Sequence, residues 1–154
     1  MKYNRTAKAI VAAGMIGMFL VPARAATWAN NTAETNPLAL HKIMQDLALD
    51  MQAVVDGISR EDWPLVAKNG LRIADHPQPP LAEKMRILNF IGSDAGKFKG
   101  YDEKIHQAGQ EMKRAAARQD GTAAILAFAT LQNSCLACHK SFRKSFQEHF
   151  YEQR

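Results

Sequence analysis

Five consecutive residues near the C-terminal end, Cys135-Leu136-Ala137-Cys138-His139, constrain this chain more than any other stretch. They read C-x-x-C-H, the attachment signature of a c-type haem. On a helix the two cysteines stand one turn apart, so both thiols can add to the two vinyl groups along one porphyrin edge. The histidine that follows then lies under the iron, where a neutral imidazole nitrogen can be the proximal axial ligand. The rest of the chain must house that group.

Other uses of paired cysteines fit less well. A structural zinc site needs about four ligands, and the chain has only 2 cysteines. The nearest other histidine downstream, His149, lies 10 residues beyond His139, too far for the usual zinc-ligand spacing. A thioredoxin-type redox pair needs a β-α-β setting, and no segment reads as a strand. A disulfide closed within one helical turn would be strained.

Haem attachment implies an exporting compartment, and the N-terminus supplies the signal for one. Lys2, Arg5 and Lys8 form a positive region, and Ala9 to Val21 is an apolar run of 13 residues. Ala23-Arg24-Ala25 is a small-x-small cleavage site, so residues 1–25 read as a cleaved secretory signal peptide. An uncleaved anchor is the alternative, but a bilayer calls for about 20 apolar residues. Paired arginines of the twin-arginine type are missing. The mature chain is expected in a bacterial periplasm, starting near Ala26 and without stable membrane insertion.

Removing the signal changes the charge balance. Four of the 20 basic residues (Lys2, Arg5, Lys8 and Arg24) go with it, leaving 16 against 15 acidic ones, a formal charge of +1. The basic isoelectric point therefore belongs to the precursor, and nucleic acid is not an expected partner. The remaining 129 residues suit one domain.

Helical periodicity runs through the mature chain. Residues 26–35 are expected to be a flexible N-terminal segment, and residues 36–154 the folded domain. Asn36 and Pro37 are placed as the N-cap and first residue of a helix. Leu40, Met44, Leu47, Met51, Val54 and Ile58 follow in steps of four and three, the seam of a bundle helix. Gly57 weakens its end. Asp62 caps a second helix with Pro64 in its first turn, and Val66, Leu71 and Ile73 as its apolar contacts. The prolines of residues 75–80 break it. A third helical region starts at Leu81, with Met85, Leu88 and Ile91 on one face. Gly92-Ser93-Asp94 interrupts it, and Ser93 recaps a stretch to Arg118. The last helix starts near Gly121 and runs to about Tyr151, aligning Phe128, Leu131, Cys135, Cys138, His139, Phe142 and Phe146.

The late position of the motif, the four-helix pattern and the run Cys135-Leu136-Ala137-Cys138-His139-Lys140-Ser141-Phe142-Arg143 resemble the class II c-type cytochromes. That group comprises cytochrome c′ and its low-spin, methionine-ligated relatives. The shared pattern is C-x-x-C-H-x-x-aromatic-basic, and each position is matched. The resemblance implies an all-α, antiparallel four-helix bundle with one covalently attached haem c between the first and last helices. Cys135 and Cys138 become the tethers and His139 the proximal ligand. In low-spin members a methionine near the start of the first helix also binds iron, and Met44 occupies that place. In cytochrome c′ members the sixth position stays open, and NO or CO can bind.

Each residue also has a plainer role. Met44 could fill the core, and Met51 lies two turns further along its stripe. Arg143 could hold a propionate or tune His139, or stand in solvent. Phe142 is expected to pack on the haem edge. His41 reads as a rim residue, His76 as a loop residue and His106 as a helix-face residue. His149 continues the last stripe roughly 15 Å along the helix from His139 and reads as partly buried. Lys140, Arg143, Lys144 and Arg154 form a basic rim that could steer acidic redox partners, though helix C-termini collect such residues anyway.

The expected function is that of a periplasmic monohaem electron carrier, ligated by His139 and Met44, working with periplasmic redox partner proteins. A pentacoordinate NO- or CO-binding protein is the alternative. No nucleophile–base pair, carboxylate dyad or phosphate loop suggests an enzyme. The resemblance also allows an antiparallel homodimer through the first two helices.

Overall fold

A computed structural model describes residues 38–152. The expected export signal and flexible segment, Asn36, Pro37 and Arg154 lie outside the described residues. The described residues are helical and contain no strand. Five α-helices run in order: α1 (Ala39–Ser59), α2 (Trp63–Ala74), α3 (Leu81–Ile91), α4 (Ala95–Ala117) and α5 (Gly121–Phe150). A 3-10 turn, Gly92–Asp94, separates α3 from α4. The four longest helices form the bundle, and α3 is a short addition between the second and third of them. α1 packs on α2, α2 on α4 and α4 on α5, whereas α1 and α5 touch only lightly.

Two of the connections share one construction. α1 ends with Glu61 at a φ of 56°, and α4 ends with Gln119 at a φ of 57°, both in the left-handed region. The next amide in each case bonds back into the helix just ended, Asp62 to the Gly57 carbonyl at 2.8 Å and Asp120 to Ala115 at 3.0 Å. These are Schellman closures. The same aspartates then cap the next helix, accepting from Leu65 N at 3.0 Å and Ala123 N at 2.9 Å. One aspartate thus closes one helix with its backbone amide and starts the next with its side chain, which holds neighbouring helices antiparallel.

The start of α1 differs from the sequence reading. Leu38 precedes its first residue and supplies no side-chain cap. Instead Glu83 of α3 accepts from Ala39 N at 2.7 Å and Leu40 N at 2.9 Å. A carboxylate from elsewhere in the chain thus satisfies two unpaired amides at the positive end of the helix dipole. Ser93 makes no capping bond; the break between α3 and α4 rests on Gly92 at a φ of 59°. Gly57 does more than weaken α1. It is buried, and a Cβ there would stand 2.9 Å from a methyl of Val66, so its bare backbone lets α2 approach.

The core has two parts. The larger gathers Leu47 and Val54 of α1, Val66 and Ile73 of α2, Met112 of α4 and Leu131 of α5. The smaller joins Ile87 of α3 to Phe142 and Phe146 of α5, with Leu40, Phe90, Phe98 and Tyr101 packed around them. α5 is also long and apolar enough to cross a membrane, yet it contributes to both cores.

Candidate haem site

The C-x-x-C-H motif spans the junction between the two cores. Cys135 packs against the larger one and Cys138 against the smaller. Both are half-buried free thiols, separated by one helical turn. Burial pushes both thiols up. For Cys138 the neighbouring Cys135 and then the Asp102 carboxylate add to burial and carry it to about 11. The pair is therefore held as thiols, the protonated form that adds across a vinyl group, and not as metal-seeking thiolates.

His139 is exposed as a residue. The burial its ring retains, and after that the charge of Arg143 one turn on, hold it below the ordinary imidazole value. The neutral form, with a lone pair for a metal, is thereby favoured. Arg143 itself is exposed. Phe142 is buried, edge-on to Phe98 with centroids 5.4 Å apart, and Lys97 lies over its ring. Leu136, between the cysteines, stands 51% exposed.

Met44 does not fill the core. It is 37% exposed, while Met112 is fully buried and Met51 packs half-buried against the larger core. The buried line of α1 runs instead through Ile43, Leu47, Asp50, Val54 and Gly57, so Met44 sits on its flank. Leu40, one turn earlier on the same stripe, packs against the cluster of Phe142 and Phe146. Met44 and the motif stand on α1 and α5, the two bundle neighbours with least packing between them. Two thiols one turn apart and an adjacent imidazole suit a porphyrin with two vinyl arms and a central iron.

One histidine differs from its sequence reading, while His76 in a loop and His106 on a helix lie where the sequence places them and also meet a shared partner. His149 is exposed rather than partly buried, its ring stacked on Phe90 at 4.2 Å. His76 and His106 stack on one another at 4.7 Å, and each faces Asp102. The Asp102 bond raises His76, and the same bond lowers Asp102, in both cases against the effect of burial. Nothing in the local pattern of either histidine announces that meeting, because the segments join only in the folded chain. His41 is exposed, as expected at a rim, with its ring against Tyr151.

Residues 73–143 match the family model described as cytochrome c′. No curated protein matches the chain, and no solved structure does. The matched segment begins in α2, covers α3 and α4, and closes at Arg143 after the whole motif.

Proposed function

Because the chain belongs to the cytochrome c′ family of class II c-type cytochromes, and is thus a haem-bearing c-type cytochrome, we propose that it is a periplasmic one-electron carrier. One haem c is held through Cys135 and Cys138, with His139 as the proximal ligand and Met44 as the distal one. The observation that carries this reading is the placement of Met44, half out of the core on the α1 flank, where a filler methionine gains little.

The haem, when bound, supplies a one-electron Fe(III)/Fe(II) couple. The chain's own residues do the rest. Cys135 and Cys138 offer uncharged thiols on one face of α5, and bonding both fixes the ring's orientation. His139 offers a neutral imidazole, kept so by partial burial and Arg143. Met44 offers an uncharged thioether, which favours the reduced metal more than an anionic ligand would. Phe142 and its aromatic neighbours exclude water from the motif's inner side. Lys140, Arg143 and Lys144 are exposed beside His139 and suit acidic faces on periplasmic redox partners. No residue is assigned a catalytic role.

The test is an absorption spectrum of the exported, haem-loaded protein. Sharp low-spin bands in the ferrous form, unmoved by CO and converted to high-spin by Met44→Ala but not by Met51→Ala, are the expected result. A broad high-spin spectrum that shifts on adding CO would replace electron transfer with NO or CO binding.

A further inference from the structure

Away from the α1–α5 seam, one side-chain cluster has the donor chemistry of a metal centre. His76 follows the end of α2, while Asp102 and His106 lie one turn apart on α4. Among the described residues, they are the one group of three His, Cys, Asp or Glu side chains whose ligand atoms all fall within 4.8 Å of one another. His76 Nε2 stands 3.2 Å from one Asp102 oxygen, and His106 Nε2 stands 3.3 Å from the other. With zinc–ligand bonds of about 2.0–2.1 Å, neighbouring corners of a tetrahedral site lie about 3.3 Å apart. Both imidazole-to-carboxylate spacings have that value.

The two rings are anchored from behind. Nδ1 of His76 bonds the Ile73 carbonyl at 2.9 Å, and Nδ1 of His106 bonds the Ala74 carbonyl. A ring held through its Nδ1–H presents Nε2 on the opposite side, the way metal-binding histidines are oriented by outer partners. Both Nε2 atoms thereby face Asp102, to which His76 donates its Nε2 proton, and an arriving cation displaces that proton to take the site. The two rings are nearly parallel, 12° apart, so holding one ion requires them to tilt together. His106 is the ring able to tilt, its side chain 30% exposed against 7% for His76.

The surroundings favour a cation and give it a way in. A cavity of about 340 Å³ opens on His106 and is lined by Asp75, Glu103 and Glu111 against Arg114. A second, of about 300 Å³, reaches His76 beside Asp46 and Asp50. The carboxylates outnumber the guanidinium in the first, which concentrates cations at that entrance, whereas in the second Asp50 pairs with Arg72 and Asp46 with Lys42.

We propose that His76, Asp102 and His106 bind one divalent transition ion of the Zn²⁺ type, with water completing its coordination. Two imidazoles and a carboxylate suit zinc and its borderline neighbours, and hard ions such as Mg²⁺ are poor matches. The ion ties the end of α2, where the chain departs for α3, to the middle of α4. This site is independent of how the haem iron is ligated.

The experiment is a calorimetric titration of Zn²⁺ into haem-loaded, chelator-stripped protein, in which the two cysteines are already occupied. One ion per chain is expected, with affinity reduced about tenfold or more by His106→Gln and unchanged by Met44→Ala. Nitrogen NMR of labelled histidines makes the result independent of that variant's folding. Zn²⁺ should move the Nε2 signals of His76 and His106 and leave those of His41 and His149 in place. Absence of stoichiometric binding to the native protein overturns the proposal, as do shifts confined to His41 or His149. Undiminished binding by a correctly folded His106→Gln protein overturns it too.

Discussion

Gly70 of α2 and Gly109 of α4 meet back to back: a methyl group on Gly109 would lie 2.8 Å from the Gly70 carbonyl oxygen. It would also lie 2.9 Å from the Ala74 amide nitrogen. Both obstacles are backbone, so α2 and α4 must separate to admit it. Overpacking of this kind costs about 1–3 kcal/mol, partly offset by the roughly 1 kcal/mol that alanine gains over glycine inside a helix. Gly109→Ala should therefore destabilise the protein by up to about 2 kcal/mol. Gly70→Ala, whose new methyl would meet its nearest neighbour at 3.1 Å, should cost less. Denaturant midpoints of the two variants check the order, and equal values would contradict it.

Glu83 should matter for the helix that carries Met44. Its two oxygens are the cap of α1, which has no side-chain cap of its own. Removing a cap costs about 1 kcal/mol, and losing a negative charge at a helix N-terminus adds about 0.3–1 kcal/mol. Glu83→Ala is expected to lower stability by about 1–2 kcal/mol, with Glu83→Gln in between because it keeps one acceptor. If Met44 ligates iron, loosening this end should also raise the high-spin fraction, which the haem spectrum reads directly.

What the sequence made legible follows from the range over which each signal acts. Asp62 with Pro64, and Asp120 with Gly121, are local signals, and the helices start where those residues place them. The motif's register on α5 is local as well. Glu83 capping α1, and His76 meeting Asp102, depend on residues distant in sequence, and no periodicity encodes them. Met44 was ambiguous for another reason. A three–four stripe specifies a wide apolar face, and only packing decides which edge of that face remains open.

Gln119 carries a cost that one substitution should recover. Its φ of 57° is a conformation that a side chain disfavours by roughly 1–2 kcal/mol. Glycine at this helix-ending position relieves the clash, though the freer unfolded chain returns part of the gain. Gln119→Gly is expected to stabilise by about 0.5–1 kcal/mol. The amide bonds of Gln119 to Ala116 and of Asp120 to Ala115 are retained. Thermal unfolding of the haem-loaded protein checks it, and a lower melting temperature would mean that the side chain of Gln119 contributes more than its strain.

Cys138 should titrate late in the folded, haem-free chain. With its thiol pushed up to about 11, only about one molecule in a thousand is thiolate at pH 8, against about a quarter for an ordinary cysteine. The rarer thiolate is the stronger nucleophile by roughly tenfold, so alkylation at pH 8 should run about twentyfold slower than in the denatured chain. The rate should climb about tenfold per pH unit through pH 10 and level near the thiol's own value. Burial leads the causes and Asp102 comes last, so Asp102→Asn should move the curve only slightly toward lower pH. Iodoacetamide kinetics followed by peptide mass mapping separate Cys138 from Cys135. A plateau already reached near pH 9 would show that the motif's inner face is open to water.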